Sequence, residues 1–253
     1  MRLGPFEWFV STAVVFSALG AAAQSTGNVS IEVAVVKPHP AAVMHNNFEF
    51  SKDRFVLEDQ PILKMIAFAY ALNPRQVVGA PGWVSEEHWD MSGKTNLTED
   101  ATLPQERAII RQLLVERFGL RFHEDKREMP VYALRVVKDQ PKLPAAANPA
   151  AQPLEVTDGH DWVRTENYRS STMEYFLTIK QLFMDRPLVD QTGLTGRYDF
   201  ELTYSYGDAP SMDADAPPPM FTAMKEQLGL KFEPVKASVE VMVVDHIAKP
   251  TAN

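Results

Sequence analysis

The apolar positions of this chain fall into short helical and short strand-like runs, and one succession of runs occurs twice. From Phe48 to Leu57 apolar and polar residues alternate, the period of a half-buried strand or hairpin. Ile62, Leu63, Ile66 and Tyr70 then recur on one helical face, with Asp59 placed to cap the helix and Asn73-Pro74 to end it. A short apolar piece, Gln76 to Val78, a Gly-Ala-Pro-Gly turn and a strand at Trp89-Asp90-Met91 follow. Thr102 and Gln105 have the spacing of a capping box, and the helix they open buries Ile109, Ile110, Leu113, Leu114 and Phe118 before Gly119 stops it. Leu120–Phe122, a charged turn and Met129–Val137 read as a hairpin.

The second pass repeats this order. Trp162 to Glu166 reads as a weak strand, Ser171 to Glu174 as a capping box, and Phe176, Leu177, Ile179 and Phe183 as the face of its helix. Leu188-Val189 is the short apolar piece, and Tyr198-Asp199-Phe200 falls where Trp89-Asp90-Met91 fell. A polar, Pro-rich insert, Tyr206 to Pro219, precedes a helix with Phe221, Met224 and Leu228, stopped by Gly229. The stretches "FGLRFHEDKREMPVYALRVV" from Phe118 and "LGLKFEPVKASVEVMVVDHI" from Leu228 align without a gap, 110 positions apart. That period is too long for a solenoid unit and suits an internal duplication of a small lobe. The expected fold is α+β: two similar α/β-sandwich lobes, mainly antiparallel strands with helices on one face. The expected boundaries are a signal peptide at 1–23, a first lobe at 24–142, a Pro/Ala-rich linker at 143–159 and a second lobe at 160–253.

Composition narrows the setting. Arg2, an apolar run from Phe9 to Leu19 and Ala21-Ala22-Ala23 ahead of Gln24 have the layout of a Sec-type signal peptide. The run is shorter than the ~20 residues a membrane span needs, and no later run is long enough. The expected location is therefore exported, periplasmic or extracellular. There is no cysteine, so the fold stands without disulfides and thiol chemistry is excluded. A net charge of −8 argues against nucleic acid and against attraction to anionic lipid.

Several segments together resemble a known family: "FEFSKDRFVLEDQPILKMIAFAYALNPRQVVGAPGWVSEEHWDMSGKT", "LLVERFGLRFHEDKREMPVYALRVVKDQPKL", "RPLVDQTGLTGRYDFELTY" and the closing "LKFEPVKASVEVMVVDHIAKPTAN". With the early "IEVAVVKPHPA" they resemble the soil-associated uncharacterised exported proteins abundant in acidobacteria, a domain of unknown function. The resemblance covers essentially the whole chain after the signal peptide. It implies export and, in some members, attachment to a membrane metallopeptidase of the antibiotic-sensor type. It implies no catalytic residues.

The chemistry-bearing residues are sparse. Six histidines show no H-E-x-x-H spacing, so no metal site is expected, and His39 and His45 read as solvated. Asp208, Asp213 and Asp215 lack the order of a calcium loop. Adjacent Asp245 and His246 point to opposite faces of a strand. Asp90 and Asp199 occupy equivalent places in the two halves and are the candidate catalytic carboxylates; the competing reading is that each holds turn amides. Trp83, Trp89 and Tyr198 are the candidate ligand-binding aromatics, although such residues are more often core. No cofactor is expected. The reading is an exported, non-enzymatic binding or interaction module of the cell envelope, with an unknown envelope protein or extracellular ligand as partner. The alternatives are an envelope glycan- or peptide-acting hydrolase and a sensor module of a membrane peptidase system.

Overall fold

The computed structural model describes residues 29–40, 46–137, 141–160, 162–205 and 216–250. The signal-peptide segment, His45 and the Asp208, Asp213 and Asp215 patch lie outside these residues. The elements run β1 (Ile31–Pro38), β2 (Asn47–Ser51), β3 (Arg54–Pro61), α1 (Ile62–Tyr70), β4 (Val77–Val78), α2 (Trp83–Glu86), β5 (His88–Thr95), α3 (Leu103–Phe118) and β6 (Arg121–Val136) in the first half. The second half has β7 (Leu154–His160), β8 (Val163–Ser171), α4 (Met173–Lys180), β9 (Leu188–Asp190), β10 (Tyr198–Ser205), α5 (Met220–Ala223) with a π-helical turn Met224–Leu228, and β11 (Leu230–His246). The fold is α+β, with mostly antiparallel strands in three sheets.

Two outer sheets, ordered β1-β5-β3-β2 and β10-β8-β7, flank a central one ordered β4-β11-β6-β9. The strands β5-β3-β2 and β10-β8-β7 correspond, and so do their registers. Phe55 faces Gly93 and Leu57 faces Met91, as Glu166 faces Leu202 and Tyr168 faces Phe200. The central sheet joins the halves crosswise. β6 and β11 pair antiparallel, with Glu128 opposite Ser238, a residue 110 positions on. The short β4 of the first half lies parallel to β11, Val77 beside Met242; the short β9 of the second lies parallel to β6, Leu188 beside Tyr132.

The cores follow this exchange. The first gathers Phe55, Leu57, Ile66, Trp89, Ile110 and Phe118 and takes Met242 and Val244 from the far end of β11. The second gathers Tyr168, Phe176, Phe200, Leu202 and Leu230 and takes Leu134 from the far end of β6. Each fully buried large apolar side chain contributes roughly 1.5–3 kcal/mol.

Four local expectations are corrected. The charged stretch after Phe122 is no turn: it lacks Gly, Asn or Pro, and β6 runs straight through it, pairing with β11 rather than folding back. Its centre is exposed, so the apolar ends of β6 and β11, not their middles, reach the cores. Asp59 does not cap α1; it sits in β3 with φ +57°, and the N-cap is Pro61. The second helix is capped one residue later than its spacing suggests, by Thr172, whose hydroxyl accepts from Tyr175 N at 3.1 Å. And the Pro/Ala-rich stretch placed in the linker holds β7 from Leu154 onward. Gly119 and Gly229 stop their helices at φ +63° and +65°, as their positions predict.

Candidate functional site: a groove between the halves

Asp90 and Asp199 do occupy equivalent points, and each holds a backbone amide. Asp59 in β3 and Ser170 in β8 both have positive φ, and a register shift accompanies each. Asp90 Oδ1 accepts from Asp59 N at 3.1 Å, and Asp199 Oδ1 from Ser170 N at 2.7 Å. Asp199 Oδ2 also accepts from Ala147 N at 2.9 Å. Such a bulge leaves an amide outside the ladder, and a short carboxylate on the next strand satisfies it. The carboxyl of Asp199 is held below its usual range by these two amides. Asp90 is lowered as well: burial opposes ionisation, but hydrogen bonds from His39 and the Asp59 amide outweigh it.

His39 is not solvated. Its side chain is 6 % exposed, with Nδ1 2.6 Å from Asp90 Oδ1. His88 Nδ1 lies 2.5 Å from Asp59 Oδ1. In the second half Arg197 holds the corresponding place and donates to Ser170 O at 2.8 Å. Among the described residues no cluster of three or more His, Asp or Glu is arranged to hold a metal ion.

The aromatic candidates divide between core and core margin. Trp89 is 3 % exposed in the first core. Trp83 stacks on Phe118 at 6.4 Å. Tyr198 packs against the second core, its hydroxyl so close to Gly196 that a Cβ there would lie 2.8 Å away. None of the three faces the large groove of the molecule.

That groove encloses 1260 Å³ between the start of α3 on one side and β7, β8 and α4 on the other. Lys64, Phe68, Glu106 and Arg107 come from the first half, and Glu155, Arg164, Tyr175 and Phe183 from the second. α3 starts here because Thr102 and Gln105 form the predicted box, Gln105 Oε1 accepting from Thr102 N at 2.9 Å. In its first turn, burial pushes the Glu106 carboxyl up to about 7, against the pull of Arg107. The guanidinium of Arg107 lies over the Phe68 ring at 5.6 Å, and its Nε is buried without a hydrogen-bond partner.

The groove floor is a buried polar cluster. Lys180 and Glu166 are 2 % and 3 % exposed. Lys180 Nζ donates to Glu166 Oε2 and lies 3.3 Å from the Tyr204 hydroxyl. Tyr204 donates to Glu166 Oε1 at 2.7 Å and Tyr168 to Oε2 at 3.0 Å. Burial lowers the Lys180 ammonium's pKa, opposed by Glu166, and raises both phenols. The carboxylate thus receives three donors, which is what a buried charge requires.

Sequence reasoning missed this cluster, although a signal for it existed. Laid 111 positions apart, as α1 and α4 begin, Glu166 falls on Phe55, Tyr168 on Leu57 and Lys180 on Ala69. An ion pair in one half at positions that are apolar in the other is legible once the halves are superposed.

A family model matches residues 63–247, from the first turn of α1 to the residue after β11. The chain belongs to the family described as "Protein of unknown function (DUF3738)". The matched segment takes in every residue lining the groove except Phe48, together with the central sheet, and leaves β1 to β3 outside. No curated protein and no solved structure matches the chain.

Proposed function

We propose that this DUF3738 protein is an exported, non-enzymatic binding module of the cell envelope, built on a duplicated α+β unit, and that its ligand lies in the groove between the halves. The soil-associated character of the resembling proteins belongs to the same proposal. One observation carries it: the ion pair of Lys180 and Glu166 opens on the groove where the equivalent positions of the first half, Ala69 and Phe55, are apolar. A buried ion pair costs desolvation that an apolar set of similar volume avoids. The first half is built with such a set, so the fold has no need of the charges.

The test is titration of isotope-labelled protein with a muropeptide digest and with a peptide mixture, followed by NMR. Shifts centred on Glu106, Tyr175 and Lys180, abolished by filling the groove with Thr178→Trp, are the expected result. Shifts confined to the far side, at Val33 and Val35 of β1, would sink the reading.

A hydrolase is the second reading, and Glu106 is the observation in its favour. A carboxyl with a pKa near neutrality serves as a general acid. Turnover of envelope glycan or peptide, lost in Glu106→Gln with binding retained, would replace the binding reading with this one.

A further inference from the structure

We infer that the groove takes a neutral glycan, an uncharged sugar chain lying between the start of α3 and the start of α4 with one ring stacked on Phe183. This rests on the groove being the ligand site.

Charge comes first. The Lys180–Glu166 pair is matched within itself, and Arg197 is spent on the carbonyls of Ser170 and Ala151. Of the remaining lining residues, Lys64, Arg107 and Arg164 stand against Glu106, Glu155 and Glu174. Equal numbers of the two signs on the same walls give no net field to draw in a charged ligand, and a ligand of either sign would lie beside its like. The helix starts do not tip this balance. α3 and α4 both begin at the groove, and a bare helix N-terminus attracts anions. Here Gln105 N and Glu106 N donate to Thr102 O at 2.8 and 2.9 Å, and Tyr175 N donates to Thr172 Oγ1 at 3.1 Å. Each first turn also carries its own acid, Glu106 or Glu174.

The sheet edges argue against a peptide. Main-chain recognition of an extended peptide needs a run of free strand groups. The edge strand β2 reaches the groove with Phe48 alone, and β7 with Leu154, Glu155 and Thr157. Two residues separate His160 from Val163, so these close the hairpin as a hydrogen-bonded pair, and alternation turns the groups of Glu155 and Thr157 outward. The Glu155 amide already meets the Tyr175 hydroxyl. Thr157 is too short a run for a ladder.

What the walls do offer suits hydroxyls. A hydroxyl both donates and accepts, so one sugar ring can meet a cation on one side and a carboxylate on the other. Phe183 supplies the apolar contact. It lines the groove at 64 % exposure, with the Arg164 guanidinium 5.8 Å from its ring centroid. A ring steadied from one side and still so exposed presents its other face, and the electron-rich face of an aromatic ring attracts the C–H groups that a pyranose carries on its flat sides. The volume of 1260 Å³ exceeds the ~300–1,000 Å³ of a site for one small molecule and suits a chain of sugars.

The experiment is isothermal titration calorimetry of the whole protein with hexasaccharides: cellohexaose, laminarihexaose and chitohexaose as neutral chains, a glucosamine hexamer as the cationic one and a galacturonate hexamer as the anionic one. At least one neutral chain is expected to bind, with the same Kd at low and high salt, because no charge on it is screened. The two charged chains are expected to bind at least about tenfold more weakly. Phe183→Ala should weaken the neutral chain about tenfold at an unchanged melting temperature, since the side chain is exposed. A charged chain that binds as tightly as the neutral ones, a Kd that rises with salt, or full binding by Phe183→Ala overturns the inference. If no neutral chain binds while peptides or muropeptides shift groove resonances, the inference falls and the groove reading stands. If nothing perturbs the groove, both fall.

Discussion

Along the inner face of the first outer sheet stand Phe48, Phe50, Phe55 and Leu57; at the matching register points of the second stand Glu155, Thr157, Glu166 and Tyr168. The two sheets share strand order, bulge, left-handed residue and amide-holding aspartate. One is therefore a control for the other. Packing four aromatic and aliphatic side chains is sufficient for the frame, so the frame alone does not require the carboxylates of the second sheet. The asymmetry is also one of length. α3 has 16 residues, while α5 and its π-helical turn together have nine before the equivalent glycine. The extra turns of α3 carry Glu106 and Arg107 to the groove, so each half supplies one wall of it.

The sharpest way to break this comparison is to write the first half's residues into the second. Glu166→Phe alone leaves Lys180 buried and unpaired, and a loss of about 3–5 kcal/mol in urea denaturation is expected. Adding Lys180→Ala removes the stranded charge, and part of that loss should return, the Tyr168 and Tyr204 hydroxyls still lacking the carboxylate they bond. If the double variant is as unstable as the single one, the halves are not interchangeable and the control argument fails.

A smaller effect separates the two amide-holding aspartates. Asp90→Ala strands the Asp59 amide and takes one hydrogen-bond partner from the buried ring of His39, which should cost about 2 kcal/mol. Asp199→Ala gives up two amides at a more open position and should cost less. The folded pKa of Asp90 is depressed, so its contribution is present above the ordinary carboxylate range and is lost as pH falls through the lowered value. Acid titration of the native protein against Asp90→Asn should therefore converge at the acid end. Divergence growing toward acid would have the sign wrong.

The glycine stops test what the halves share. Gly119→Val and Gly229→Val should each cost about 1 kcal/mol or more, since a β-branched residue is strained at positive φ. At Gly119 a Cβ would rest 3.5 Å from the His246 ring, an ordinary contact, so strain rather than collision sets the cost there. Melting curves that move for one glycine and not the other would show that the two stops are not equivalent.

How much of this was legible in the sequence depended on range. Local signals were readable: the helix faces, the Thr102–Gln105 box, both glycine stops and the repeat of element order. What failed was pairing at a distance. The stretch His123–Glu128 looked like a turn because it is charged, yet it holds no Gly, Asn or Pro; its partner strand begins over a hundred residues away. His39 looked solvated because Pro38 and Pro40 flank it, and only the pairing of β1 with β5 brings it to Asp90. The carboxylates singled out by symmetry proved to share an amide-holding place. The groove cluster, in contrast, is where symmetry is broken, so a search for equivalent residues passed over it.

The smallest expected effect concerns the groove wall that the second half lacks. Glu106 titrates near 7 in the folded chain and near 4.5 when exposed, so between these values the folded state holds a proton that the unfolded state has released. Stability accordingly falls as pH rises through this window, and the penalty is complete above about 7. Gln has the shape of the protonated acid and carries no such penalty. Glu106→Gln should therefore match the native protein at pH 4 and exceed it at pH 8 by about 1 kcal/mol, the full shift being discounted for partial exposure. Denaturant midpoints at the two pH values measure this. A gain at pH 8 places Glu106 in a poorly solvated part of the groove. Equal midpoints at both pH values would mean that water reaches the carboxylate freely, and the first half would then contribute an ordinary solvated helix turn where a binding wall was inferred.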